Sequence, residues 1–200
     1  MRFIFFAVLV TLAGCVQPTP GPVFSAAAPP PAVAAVPASN PAIGGVTIPT
    51  DRPITDALAL APTLGQLGRA LDAGGMADTL RAEGPFTIFA PTDAAFGRLQ
   101  PGTVDALLKP ENRTSLAKLL GLHIVPERLG ALELMRRIAA GGGRTMLTSV
   151  AGEPIAVSLT GGIVTLTDSG GNKSYVETAD VRASNGVIHV VNGVLVPRLN

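Results

Sequence analysis

The chain reads as an α+β protein, with helices placed before an antiparallel β meander. Two observations carry that expectation. Apolar residues recur at three- and four-residue steps through the first half of the folded portion, and the pattern changes to strict alternation in the second half. A third supports it: Gly-Gly and Asn-Gly pairs, which tolerate positive φ, separate the alternating runs and mark tight turns. Helices grouped ahead of strands argue for α+β rather than an alternating α/β order.

The N-terminus reads as a targeting segment, residues 1–14. Arg2 supplies a positive charge and Phe3 to Leu12 is an apolar run, too short for a bilayer span of about 20 residues. It ends in Leu12-Ala13-Gly14-Cys15, and Cys15 is the chain's only cysteine. That tetrapeptide resembles the bacterial lipobox, which is cleaved before a cysteine that is then lipidated. The resemblance implies a lipoprotein signal peptide, a lipidated Cys15 and a membrane as partner through acyl chains, several of which hold more firmly than one. Val16 is unlike the Asp that retains known lipoproteins in the inner membrane, which implies the outer membrane. With one cysteine, an intrachain disulfide and any multi-cysteine metal site are excluded.

Residues 15–50 read as a tether. From Val16 to Thr50 there is no charged side chain, and prolines recur from Pro18 to Pro49 in an Ala-rich background. Proline removes backbone donors and fixes φ, so an extended spacer is expected. At about 3.1 Å per residue its reach is on the order of 100 Å.

Residues 51–200 are expected to form one domain, long enough for a single core. Ile54, Leu58, Ala61, Leu64, Leu67, Leu71 and Leu80 form a helical stripe interrupted by Pro62 and Gly74-Gly75. A second helical pattern runs through Leu116, Leu119 and Leu120 to Gly121, and a third places Arg136 and Arg137 near its end. Between the first two lies "GPFTIFAPTDAAF", Gly84 to Phe96. Here a Gly-Pro turn leads into a short apolar strand that Pro91 ends. Thr92 is placed to cap the next helix, with Asp93 in its first turn where a negative charge is favoured. Then "EPIAVSLT", "IVTLTDS", "KSYVETADVRAS", "VIHVV" and "VLVPRL" are expected strands.

Composition narrows function. A net charge of +1, no Trp and one Tyr give neither the basic face nor the stacking platform that nucleic-acid binding needs. No G-x-S-x-G elbow appears, and "GGNKS" lacks the adjacent Gly-Lys of a phosphate loop. "GGGRT", Gly141 to Thr145, reads as a helix-to-strand link in preference to an anion nest. The two histidines, His123 and His189, lie in different elements with no ligand spacing. The favoured reading is that each satisfies buried backbone groups, with ligand or base as the alternative. No cofactor, metal or catalytic residue is expected.

Three segments in order carry a resemblance. "TIFAPTDAAF", "LLGLHIVP" and "ASNGVIHVVNGVLVP" resemble the first signature, the Tyr-His segment and the second signature of the fasciclin domain. The resemblance runs from about Asp51 to Pro197. It implies a β-sandwich or wedge of two antiparallel sheets with several helices on one edge, and a non-enzymatic role in adhesion through protein or glycan partners. Leu122 stands where the family usually has Tyr beside His123, so the integrin binding linked to that segment in animal members is not implied here.

The candidate binding residues are His123 and Leu122 of the Tyr-His segment, with Arg136 and Arg137 from a set of arginines (Arg69, Arg81, Arg98, Arg128, Arg136 and Arg137) that could meet acidic glycans or lipopolysaccharide, a solvated helix face balanced by carboxylates being the favoured reading of that set. Pro91, Thr92, Asp93 and His189 are structural members of the signatures. The expected function is a lipid-anchored envelope protein for surface attachment or cell–cell contact. The alternative is a periplasmic module binding a small molecule or envelope polymer.

Overall fold

In a computed structural model, which describes residues 39–197, every member of the Ile54–Leu80 stripe is buried. The stripe runs along three helices, α1 (Ile54–Leu60), α2 (Gly65–Gly74) and α3 (Ala77–Arg81), with Ala61 and Leu64 in the turn between the first two. Gly75 adopts φ +69° after α2, and the amides of Gly75 and Met76 fold back on the carbonyls of Asp72 and Leu71. A left-handed residue at a helix end closes the last turn in this way, and glycine does so without a Cβ penalty. A cis Gly84–Pro85 peptide leads into β3 (Phe86–Pro91), followed by α4 (Asp93–Phe96), α5 (Thr103–Leu107) and α6 (Arg113–Leu122). After β4 (Ile124–Val125) comes α7 (Ala131–Ala140). The meander follows: β5 (Arg144–Thr148), β6 (Pro154–Thr160), β7 (Ile163–Thr167), β8 (Lys173–Ala183) and β9 (Gly186–Val191).

The tether boundary moves. Asn40 to Thr50 belongs to the folded unit, with a small hairpin of two strands, β1 (Ala42–Ile43) and β2 (Val46–Thr47), that buries Ile43 and Ile48. The Asn40 side chain bonds the Arg182 backbone in both directions, donating at 2.7 Å and accepting at 2.8 Å. The charge-free composition of this stretch concealed one strongly placed side chain. The expected signal peptide, Cys15 and the rest of the expected tether lie outside the described residues. No helix among those described is long and apolar enough to cross a membrane.

The sheet also differs from the expected pair of antiparallel sheets. Seven strands pair in the order β4-β3-β9-β8-β7-β6-β5, and β3 runs parallel to β9. Local hairpins set the direction of each strand from β5 to β9, but none joins β9 to the distant β3. The ends nearly meet, giving a barrel-like sheet: the Val150 amide donates to the Ile124 carbonyl at 2.8 Å, and Ala151 to Gly121 at 3.2 Å. The bend lies in β8, where two register shifts separate Val176, Thr178 and Val181.

The central pair β3–β9 is buried on both faces, which explains its near-continuous apolar sequence. Ile88, Ala90, Ile188 and Val190 face the helical core with Leu67, Leu71 and Leu120. Phe89 and Val191 face a second core with Leu134, Ile138, Val157 and Leu166. At the start of β9 a Cβ on Gly186 would collide with the Phe86 carbonyl oxygen, so only glycine allows this approach. The expected last strand "VLVPRL" is unpaired over 194–197. Side chains take its donors instead: Leu195 N–H bonds His123 and Val196 N–H bonds Asp168.

Candidate functional site

The signature histidines are built into the interior. His123 follows α6 and is 1% exposed. Its Nδ1 lies 2.9 Å from the Leu119 carbonyl, and its Nε2 lies 2.9 Å from the Leu195 amide. A carbonyl can only accept and an amide can only donate, so the ring is neutral with its proton on Nδ1. His189, on β9, is the opposite tautomer. Its Nε2–H donates to the Leu129 carbonyl at 2.7 Å, while Nδ1 accepts from the Asp180 amide at 3.3 Å. Its ring also stacks on Phe89, with centroids 5.5 Å apart. Burial lowers the His123 pKa to about 4, opposed by the Leu119 bond and the Asp168 charge. Burial lowers that of His189 as well, opposed by the Leu129 bond and Asp180. Neither ring has a nitrogen left for a ligand or substrate.

Two candidate binding residues are therefore corrected. His123 cannot be reached from solvent, and Leu122 beside it is fully buried in the second core with Phe89 and Val125. Leu122 ends α6 and His123 is its C-cap, directly before β4, where the chain is enclosed on both sides. Arg136 and Arg137 are on the surface of α7, engaged with carboxylates. Arg137 bonds Glu127 at 2.7 Å and Glu133 at 3.1 Å, which raises its pKa further, and Arg136 lies 3.4 Å from Glu133.

The first signature is a construction site for helix ends. Pro91 is the last residue of β3, and the Thr92 amide still donates to Val191 at 3.1 Å beyond it. Thr92 Oγ1 accepts from the Ala95 amide at 3.2 Å and caps α4. Asp93 sits in the first turn of α4, but its carboxylate accepts from the Gln66 amide at 2.8 Å and so caps α2.

The sequence reading missed two further residues of this kind. Asn185, in the β8–β9 turn, accepts from the Ile54 amide at the start of α1. It also donates to the carbonyls of Leu80 and Ala82 at the end of α3. Asp180, in the β8 irregularity, has φ +60°, the one non-glycine residue with positive φ among those described. A bulge re-aims side chains, and here it points the Asp180 carboxylate at the Ala131 amide, 2.7 Å away, where it caps α7.

Solvent reaches two clefts flanking these ends. One, of about 360 Å³, lies beside Thr92, Asp93, Arg98 and Glu177. The other, of about 550 Å³, is lined by Arg81, Glu83, Pro85, Arg128 and Ser184. Among the described residues, no three His, Cys, Asp or Glu side chains converge as a metal site.

A mixed seven-stranded, nearly closed sheet under a cover of short helices, with histidines pinning its loops, defines a fasciclin-type fold. The Fasciclin domain family model matches residues 62–197. The chain belongs to the fasciclin domain family. It is 40% identical over 144 residues to Protein sll1483 of Synechocystis sp., covering 72% of this chain and 73% of that protein. It is 36% identical over 132 residues to transforming growth factor-beta-induced protein ig-h3 of Sus scrofa, covering 66% of this chain but 17% of that protein. The solved FAS1 domain pair of the insect cell adhesion molecule Fasciclin I superposes with a TM-score of 0.63 at 19% identity. That match covers 74% of this chain and 51% of that one.

Proposed function

We propose that the protein is a lipid-anchored component of the cell envelope that displays one fasciclin domain for attachment to surfaces or to other cells. The domain would act by binding a protein or glycan partner rather than by catalysis. The observation that carries this reading is the shared fold with a domain pair of a cell adhesion molecule. The lipobox-like Leu12-Ala13-Gly14-Cys15 supports a lipid anchor, and Val16 in place of an Asp after the cysteine supports the outer membrane. The internal use of both histidines supports binding through the outer surface of a fixed scaffold.

A deletion strain tests the role. It is expected to attach to surfaces and to neighbouring cells less than its parent, and equal attachment overturns the proposal. Protease shaving of intact cells tests display: cleavage supports an outward-facing domain, and protection supports the periplasmic binding module instead. A Cys15→Ala variant is expected to leave the membrane fraction.

A further inference from the structure

The 550 Å³ cleft is assembled from four separate stretches of chain. Pro53 precedes α1, Arg81 ends α3, Glu83 and Pro85 lie on the loop into β3, and Arg128 lies between β4 and α7. Ser184 closes it from the β8–β9 turn. The walls are fixed by groups already described. Asn185 ties the start of α1 to the end of α3. Leu129, next to Arg128, is held by Thr87 through its amide and by His189 through its carbonyl.

The polar groups in the cleft are largely unspent. Arg128 makes one hydrogen bond, from Nη2 to the Ser184 carbonyl at 3.0 Å, which steers its guanidinium while leaving other donors unpaired among the described residues. Arg81 has one partner, Asp78, at 3.1 Å. That pair is largely exposed, so water and salt compete for it. The hydroxyl of Ser184 and the carboxylate of Glu83 have no partner among the described residues.

Two guanidinium forks and a hydroxyl favour a planar anion that accepts several hydrogen bonds, which is the geometry of a carboxylate. Glu83 sets a second condition. It repels a continuous polyanion and calls for a donor on its own side. No aromatic side chain lines the cleft, so a sugar ring finds no stacking face. Pro53 and Pro85 offer small apolar surfaces instead. A peptide satisfies all of this: side-chain carboxylates alternate with backbone N–H groups, on a chain with apolar stems.

We infer that this cleft binds an acidic peptide segment of a protein partner, with a carboxylate between Arg81 and Arg128 and a backbone N–H facing Glu83. The inference deepens the attachment reading, and rests on it for biological context, by naming the chemistry of the partner.

Fluorescence anisotropy on the full chain tests it, using a fluorescein-labelled Glu-Gly-Glu-Gly-Glu peptide and its Gln counterpart as probes. The Glu peptide is expected to bind and the Gln peptide to bind at least tenfold more weakly. Arg81→Gln and Arg128→Gln should each weaken binding about tenfold, the size of a lost hydrogen bond to a charged group. Glu83→Gln, which keeps an oxygen to accept the peptide N–H but no longer repels the peptide's carboxylates, should tighten it about threefold. Arg69→Gln, on α2 away from the cleft, should change nothing, and thermal melts verify that each variant folds. Equal binding of the two peptides, or arginine variants that bind like the parent, overturns the inference. So does a polyuronate that competes as well as the Glu peptide. Cells carrying the double arginine variant that still attach normally overturn the role of this cleft alone. A deletion strain that attaches normally overturns the attachment reading, while the peptide titration stands apart from it.

Discussion

Acidification should loosen this protein through His123, and the size of the effect follows from the structure. The folded ring titrates at about 4, against about 6.5 for an exposed histidine. The folded value is the lower one, so the unfolded chain takes up a proton first as pH falls. Above about pH 6.5 both states are neutral and His123 adds no pH dependence. Between there and about 4, stability is lost at up to about 1.36 kcal/mol per pH unit. The loss is on the order of 2–3 kcal/mol by about pH 4.5 and about 3 kcal/mol in full. His189 is lowered for the same reason and acts in the same direction. Protonation must also break a bond, because Nε2 of His123 accepts the Leu195 amide and cannot do so once charged. The assay is urea unfolding at about pH 7.5 and about pH 4.5 for the parent and for His123→Gln, which cannot titrate. The carboxylates titrate in both, so the difference between the two pH dependences isolates the histidine. With only two histidines in the chain, an NMR titration reads each one directly. Parallel pH dependences for parent and variant, or a His123 midpoint near its ordinary value, would refute the reasoning.

The remaining predictions concern the pins and caps. Nitrogen-15 spectra at neutral pH should show opposite tautomers, with the proton on Nδ1 of His123 and on Nε2 of His189; matching tautomers would contradict the bonding described. Asn185→Ala strands the Ile54 amide and the Leu80 carbonyl and should cost about 3 kcal/mol in urea unfolding, since each unsatisfied group costs about 1–3. Asp180→Ala removes the cap of α7 and should cost about 1–2 kcal/mol, whereas Asp180→Asn keeps both the oxygen and the tolerance for positive φ and should cost less than half of that. Thr92→Ala and Asp93→Ala should each cost about 1 kcal/mol, with the loss from Asp93→Ala seen as faster amide exchange at the start of α2. Arg137→Gln, at an exposed surface cluster, should change stability by less than about 1 kcal/mol.

Periodicity made the helical core legible because each residue of the Ile54–Leu80 stripe needs only its own helix to declare which face is buried. The Thr92 cap was legible for a similar reason: donor and acceptor are three residues apart. What stayed hidden was chemistry between distant residues. The residues that precede α1, α2 and α7 are Pro53, Leu64 and Gly130, none of which makes a side-chain cap. Read locally, those helices start without a partner for their first amides. Asn185, Asp93 and Asp180 supply the partners from elsewhere in the chain. The parallel pairing of β3 with β9 was hidden in the same way, since no turn encodes it. Asn40 vanished into a proline-rich context that lacks charge but not specificity. As for the site, charge alone pointed to Arg136 and Arg137, which are already engaged with Glu127 and Glu133. Arg81 and Arg128 belong to the same set of arginines, and only the fold makes these two neighbours of one cleft.

These placements separate what the family signatures specify from what the surface is free to vary. Thr92, Asp93, His123, Asn185 and His189 all spend their polar groups on backbone atoms: helix ends, the loop before α7 and the unpaired segment after β9. A side chain committed to a buried amide or carbonyl cannot leave it for a ligand without stranding that group, at a cost of about 1–3 kcal/mol. Recognition therefore falls to residues the scaffold holds in place but does not consume. The cleft of Arg81, Glu83 and Arg128 meets that condition: its backbone is pinned by Asn185, Thr87 and His189, and its charged side chains keep donors and acceptors open to solvent. Substituting the signature residues should then lower stability first and binding only as a consequence. Substituting the cleft residues should change binding at constant stability, and the two sets of variants can be told apart by measuring both quantities on each.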